Sequence, residues 1–431
     1  MKSTRRTFVQ AAGLSALAAG RVWGSNDRIN VAIVGVGSRG QSHIQGYAKQ
    51  PDANIYALCD VDQPNLERSQ ARVKLLTGFT PKGFSDMREV FADKEVHAVS
   101  MPLPNHWHAL ATIWACQAGK DVYIEKPASH DPDESKQMVA AARKYGRMVQ
   151  VGSQGRSAVH KIRAIQLLRD GAIGQVYMAK GLCFKRRKSI GHTPDEPVPA
   201  GVDWDKFLGP APMIPFSKNR FLYNWHWFWD TGNGDIGNQG VHEMDIARWG
   251  LGVDYPTSAV ASGGKYVYQD DQQTPNTLLA SFNYGDKELV FEVRGLQTGS
   301  EAQLASGTDG NTVGNIFLGS EGWLSLDGEG YRLFKGDPAK LVQSEKAGED
   351  PLGPHIANFL AAIRSRRYQD LKAEIEIAKT SADLCHLANI SYRLNGQTLQ
   401  FNPPTQSFTD EAANRLAHPA HRAPYVIPNL A

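Results

Sequence analysis

The stretch 30-NVAIVGVGSRGQSHIQGYAKQPDANIYALCD-60 decides how this chain is read. Val31–Val34 is a short apolar run, the pattern of a strand buried on both faces of a parallel sheet. Gly35, Gly37 and Gly40 follow with G-x-G-x-x-G spacing. The first glycine permits a tight turn, the second lets backbone approach a pyrophosphate, and the third lets a helix pack closely on the strand. Gln41–Gln50 continues as a helix, whose first turn offers free N–H groups and the positive end of a dipole to phosphates. A second apolar run, Ile55–Cys59, ends at Asp60, a carboxylate placed to accept hydrogen bonds from an adenosine ribose. A glycine triplet alone is a weak signal. Strand, turn, helix and acid in register predict a dinucleotide-binding βαβ unit; a glycine turn in some other βαβ unit is the alternative.

The bounds around this stretch are simple. At 431 residues the chain is long enough for two domains. The net charge of +3 comes without a long basic block, so no nucleic-acid partner is expected. Cys59, Cys116, Cys183 and Cys385 lack metal-ligand spacing and read as buried thiols, with a disulfide left open. Residues 1–25 read as an export signal. Ser3-Thr4-Arg5-Arg6-Thr7-Phe8 precedes a mild apolar segment, Ala11–Gly20, too short to span a bilayer but suited to a signal. The pattern resembles a bacterial twin-arginine signal, with cleavage expected between Ala18 and Asn26 and a periplasmic or otherwise exported location; a disordered basic terminus is the alternative. No later stretch is apolar enough to be an integral membrane segment.

From Ile29 to Val151 apolar runs alternate with helical stretches. Strands are expected at Ile29–Gly35, Asn54–Asp60, Val96–Leu103, Asp121–Ile124 and Met148–Val151, with a short element from Phe84, making about six parallel strands. Beyond Val159–Arg169, a helix, and Val176–Cys183, a strand, the Pro-, Gly- and Trp-rich segment Lys188–Asn233 has little periodicity and reads as a functional loop. Asp235–Gly250 reads as one helical segment. Strands at Ser258–Tyr268, Thr277–Tyr284, Glu288–Leu296, Asn315–Leu318, Trp323–Leu326 and Tyr331–Lys335 then suggest a second, antiparallel sheet. Helices follow at Pro354–Ser365 and Ala373–Leu394, and the Pro-rich 401–431 is expected to run over the surface or onto a partner subunit.

Three further segments carry chemistry. Pro102-Leu103-Pro104-Asn105-His106-Trp107-His108 and Glu125-Lys126-Pro127 each follow a strand, at the carboxyl ends where open α/β sheets bind ligands. In Gly232–Gly250, spacings of four and three put Asn238, His242 and Asp245 on one helical face. With VGVGSRG and CDVD before them, PLPNHWH, AGKDVYIEKP and GNGDIGNQGVHEMDIARW run in an order that resembles the Gfo/Idh/MocA family, over about Ile29 to Asn395. The resemblance implies an N-terminal Rossmann domain, a doubly wound parallel sheet, at 27–152. It implies a C-terminal α+β substrate domain with a large, mainly antiparallel sheet at 153–400, a tail at 401–431, and a homo-oligomer.

It also implies roles. Gly35, Gly37, Gly40 and Asp60 would bind the cofactor, with Ser38 and Arg39 in the phosphate turn. Pro104, Asn105 and His108 would line the nicotinamide side, and Glu125 and Lys126 would hold the nicotinamide ribose. Lys126 would also reach the substrate hydroxyl, and His242 would take its proton, while the lysine ammonium holds the alkoxide. The chain departs from the family where Asn238 stands in place of a common Asp, four residues before the histidine. An amide orients an imidazole but adds no charge, so Asp235 or Asp245 are the candidates to compensate.

In Tyr223-Asn224-Trp225-His226-Trp227-Phe228-Trp229, the residues Tyr223, His226 and Trp227 are candidates to face a sugar ring; a hydrophobic core or interface is the alternative. Gln154, Arg156, Lys185, Arg186 and Arg187 are candidates for polar or acidic sugar groups. No metal is expected, since no histidine spacing matches a strong motif. The expected function is oxidation or reduction of a secondary hydroxyl on a sugar, cyclitol or polyol, with a tightly held NAD favoured over NADP by Asp60. A glycosidase working by transient oxidation and elimination, and a non-catalytic sugar binder, are the rival readings.

Overall fold

The computed structural model describes residues 28–296, 299–304 and 310–431; the expected export signal and its cleavage point lie outside them. Six strands form the first sheet: β1 (Ile29–Val34), β2 (Ala53–Cys59), β3 (Lys82–Phe84), β4 (Ala98–Met101), β5 (Asp121–Ile124) and β6 (Val149–Val151). Their order is β3-β2-β1-β4-β5-β6, all parallel, the doubly wound order with a switch point beside β1. Burial explains the apolar runs: every residue of β4 and β5 is buried. Ile44 and Tyr47 of helix Ser38–Ala48 cover one face, together with Ile356 and Phe359 of the late helix Leu352–Ser365. Ile113 and Met138 cover the other. Helix starts follow local chemistry. Asp62 caps Gln63–Thr77 by accepting the Asn65 N–H, and the helix stops at Gly78 with φ +77°.

The second sheet has ten strands: β7 (Val176–Phe184), β8 (Ser258–Gly264), β9 (Thr277–Asn283), β10 (Glu288–Arg294), β11 (Thr312–Gly319), β12 (Gly322–Asp327), β13 (Gly330–Lys335), β14 (Lys340–Lys346), β15 (Leu399–Asn402) and β16 (Ser407–Phe408). The order is β14-β13-β12-β11-β7-β10-β9-β8-β15-β16. All pairs are antiparallel except β7 with β10. Alternate residues, such as Leu278, Ala280 and Phe282 of β9, face a core shared with helices Gly240–Leu251 and Ile375–Arg393. Gly240 lets its helix lie against the Phe291 ring, which a Cβ there would meet at 2.9 Å.

Three expectations change. The segment Asp235–Gly250 is two helices, Gly234–Asn238 and Gly240–Leu251, broken at Gln239. The segment Lys188–Asn233 holds a helix, Trp204–Leu208, and two 3-10 turns, Lys218–Arg220 and Leu222–Trp227. The tail adds a sheet strand and helix Glu411–Ala417, then returns to the first sheet, where Tyr425, Ile427 and Leu430 join its apolar core. The four cysteines are free and buried. No described helix is long and apolar enough to cross a membrane.

Candidate functional site

A cleft of about 650 Å³ opens at the carboxyl ends of β1, β2, β4 and β5. One end is the glycine turn. Gly35 has φ +89°, and a Cβ there would sit 2.9 Å from the Pro102 carbonyl. A Cβ on Gly40 would sit 2.3 Å from the Gly35 carbonyl, so this glycine serves close packing. Gly37 differs: nothing lies within 4 Å of where its Cβ would be, and it lines the cleft with Ser38 and Arg39. Gly37 caps helix Ser38–Ala48 without a side-chain bond, so the first-turn N–H groups face a cradle with room for a phosphate. Residues and space therefore fit a dinucleotide.

Asp60 lines the same cleft. It accepts the N–H groups of Val36 (2.8 Å) and Asp62 (2.9 Å) and the Asn65 amide (3.0 Å), which fixes its carboxylate beside the turn. Burial pushes its pKa up, against the pull of those hydrogen bonds. Two cations line this end, Arg88 and Lys206. Both are engaged: Arg88 lies 2.6 Å from Asp86, and Lys206 lies 3.2 Å from Asp203 and 3.7 Å from Asp86.

The other end holds Glu125 and Lys126. Glu125 accepts from Arg39 Nε (2.8 Å) and sits 3.0 Å from His43 Nε2. Burial pushes this carboxyl up, but Arg39 and His43 outweigh it and hold its pKa well below the usual range. Lys126 Nζ donates to the Asn238 main-chain carbonyl at 2.8 Å and faces its side-chain oxygen at 3.4 Å. Burial draws the Lys126 pKa down to about 8, against the pull of Glu125. The Asn238 amide donates to Tyr223 Oη (3.1 Å), which also accepts from Arg187 (2.9 Å).

His242 is half-buried and is not part of the cleft lining. Burial, then the Lys126 charge, pulls its pKa down to about 3. It is neutral at physiological pH and a poor proton acceptor. Neither expected carboxylate supports it. Asp235 pairs in bidentate fashion with Arg187 (2.6 and 2.8 Å), and Asp245 with Arg156 (2.7 and 2.9 Å). Arg156 is thus buried in an ion pair rather than aimed at a ligand. Gln154 carries a buried side-chain oxygen with no partner and does not line the cleft. Lys185 donates to Gln239 (3.1 Å).

Pro104 lines the cleft; Asn105 and His108 do not. Asn105 donates to Asn233 (2.8 Å). The two His108 ring nitrogens face the carbonyls of Pro127 (2.6 Å) and Leu103 (2.9 Å). Both residues hold the loops that carry Pro104 and Lys126. The aromatic cluster divides. Tyr223 and His226 line the cleft, with Trp225 stacked on His226 at 3.6 Å between ring centroids; Trp227 is buried beneath Arg187. Sequence reading missed Trp225 as a lining residue, the pairing of Glu125 with Arg39 and His43, and Tyr425. The last packs edge-on to Trp107 (5.4 Å) and donates to Asp205 (2.9 Å), which Arg422 also binds (2.7 Å). A tail residue therefore walls the cleft. No local pattern announces it.

Residues 29–153 match the model of an oxidoreductase family with an NAD-binding Rossmann fold, and 176–427 match that family's C-terminal alpha/beta domain. Levoglucosan dehydrogenase of Pseudarthrobacter phenanthrenivorans is 26% identical over 241 residues, 54% of each chain. A glycosyl hydrolase family 109 protein of Saccharopolyspora erythraea is 25% identical over 293 residues, 65% of this chain and 58% of that one. The chain spans little more than half the length of the curated relatives it matches. In fold it is similar to the WlbA dehydrogenase of Bordetella pertussis, solved with NADH and UDP-GlcNAcA: TM-score 0.64, 18% identity, 87% of this chain and 99% of that one.

Proposed function

The chain belongs to the Gfo/Idh/MocA oxidoreductase family, and we propose that it moves a hydride between a secondary hydroxyl of a sugar or cyclitol and a nicotinamide dinucleotide held in the cleft. The observation that carries this reading is Lys126, a half-buried lysine whose Nζ is held by the Asn238 carbonyl (2.8 Å) in the cleft that also contains the open Gly37 cradle; its pKa is drawn down to about 8. The bound dinucleotide would supply the hydride acceptor or donor. Lys126 as free amine would take the hydroxyl proton at Nζ; as ammonium it would return the proton to a ketone. The Asn238 carbonyl holds Nζ in place. In this reading Lys126, not His242, is the base, because His242 stands outside the cleft lining and burial draws its pKa down to about 3. Tyr223, Trp225 and His226 offer stacking surfaces and polar tips to a sugar.

Asp60 supports NAD over NADP, because the nearby cations are already paired with carboxylates. The tail that walls the cleft supports slow cofactor release, and slow release supports export with the cofactor aboard. Exposed Tyr177 on β7 and Leu279 on β9 support pairing of the sheet face with a second copy. The test is to denature natively purified protein and identify the released nucleotide. NAD(H) is expected, followed by substrate-dependent reduction across a panel of sugars and cyclitols. Protein that neither carries nor binds NAD(H) would overturn the proposal. The similarity to a glycosyl hydrolase family 109 protein favours one second reading, hydrolysis by transient oxidation. Aglycone release from aryl glycosides without net change in NADH would select it.

A further inference from the structure

Away from the cofactor cleft a second cavity, about 260 Å³, lies among helices Pro132–Lys144, Ile375–Arg393 and Glu411–Ala417. Its wall carries a reciprocal helix cap. Asp131 Oδ1 accepts the Glu134 N–H (2.9 Å), and Glu134 Oε2 accepts the His130 N–H (2.7 Å). Each bond uses one carboxylate oxygen. The other two, Asp131 Oδ2 and Glu134 Oε1, are buried without a hydrogen-bond partner, on residues 4% and 2% exposed. Asn389 adds a third orphan: its amide nitrogen donates to the Asn233 carbonyl (2.9 Å), and its oxygen has no partner. Three unanswered acceptors thus belong to residues that line one cavity. Arg393 and Arg415 also line it, but Arg393 lies over the Trp229 ring (5.0 Å) and Arg415 lies 3.7 Å from Glu411.

Buried carboxylate oxygens left unpaired are costly, and the usual remedies are a shared proton or a cation. The geometry favours the cation. One ligand atom from each of His130, Asp131 and Glu134 lies within 4.8 Å of the others. His130 Nε2 faces the Gly232 carbonyl (3.3 Å), the outer contact that metal-bound imidazoles usually make, which leaves Nδ1 for an ion. One imidazole and two carboxylates suit a first-row divalent cation such as Mn²⁺. We propose that His130, Asp131 and Glu134 form a divalent-cation site, with Asn389 reaching it from the facing helix. The site sits four residues beyond Lys126, on the loop that leaves the catalytic strand. Its role is to fix that loop against the C-terminal helices.

The test titrates Mn²⁺ into the full-length protein, first stripped with a chelator, and follows the free ion by electron paramagnetic resonance. Asp131→Asn with Glu134→Gln is the comparison, since both amides keep an oxygen for the capping bonds. The wild type should bind one Mn²⁺ per chain and gain thermal stability with it. The double variant should fold, bind at least 100-fold more weakly, and show no Mn²⁺-dependent rise in melting temperature. If the double variant fails to fold, Asp131→Asn alone is used, with at least a 10-fold loss expected. Absence of binding to the wild type at millimolar Mn²⁺, or equal binding by the variant, would overturn the proposal and leave a shared proton as the explanation. The readout needs neither substrate nor NAD, so it is independent of the proposed activity.

Discussion

Asn238→Asp places a carboxylate at the atom that now faces Lys126 Nζ from 3.4 Å. The change is isosteric. Tyr223 Oη, which accepts from Arg187, can donate its own proton to the new carboxylate, so the local bonds survive. At an effective dielectric of about 20, two charges at this distance attract by about 5 kcal/mol, an upper bound of roughly 3.6 pH units. Pairs of this kind usually shift a titration by about 1–3 units. The sign is fixed. A neighbouring negative charge favours the ammonium, so the titration of Lys126 moves up from its present value of about 8. If the free amine is the base, kcat/KM for alcohol oxidation rises with pH through the Lys126 titration. The variant's rising limb should sit about 2 units higher, leaving oxidation at pH 7.5 slower by roughly 75-fold while ketone reduction gains at alkaline pH. The assay is the pH profile of kcat/KM in both directions, for wild type and variant. A limb that stays within about 0.3 units of the wild type, or moves down, would refute the assignment of the base to Lys126.

Four other outcomes are expected. Gly37→Val should abolish NAD binding by calorimetry yet leave the melting temperature within about 2 °C, because its Cβ meets no protein atom, whereas Gly40→Ala should destabilise by about 1–3 kcal/mol through contact with the Gly35 carbonyl. Tyr425→Ala with Arg422→Ala removes the tail's hold on Asp205 and Trp107; the NAD off-rate in stopped flow should rise at least about tenfold, equivalent to about 1.4 kcal/mol. Asp245→Ala should cost about 3–5 kcal/mol in denaturant unfolding, because it strands the buried Arg156 guanidinium, and an unchanged midpoint would count against that pair as a structural element.

The first sheet was legible because buried parallel strands are written as apolar runs: Val31–Val34 and Asp121–Ile124 each appear where expected. The second sheet was legible only where one face is buried. β14 was not, since six of its seven residues are exposed and alternation has nothing to alternate against. In the site, the placement of Gly35, Gly37 and Asp60 in one cleft was readable because it follows from local backbone. The partners of Asp235 and Asp245 were not, because Arg187 and Arg156 come from 48 and 89 residues away. Helical spacing had suggested that Asn238, His242 and Asp245 share one face. His242 and Asp245 do lie three residues apart in one helix, but Asp245 is taken by Arg156 and Asn238, across the break at Gln239, is engaged by Lys126 and Tyr223. Tyr425 reaches the cleft from a segment whose composition signals only loop.

The break at Gln239 has an evolutionary consequence. The Asn238 main-chain oxygen accepts from Lys126, while the His242 N–H turns to the Gln239 carbonyl at 3.1 Å. A main-chain acceptor persists through any substitution that preserves the backbone. The lysine's position is thereby uncoupled from the side chain at 238. Mutation there is free to alter charge without unseating Nζ, so exchange between amide and acid becomes a route by which lineages retune their working pH while keeping the same reactive geometry.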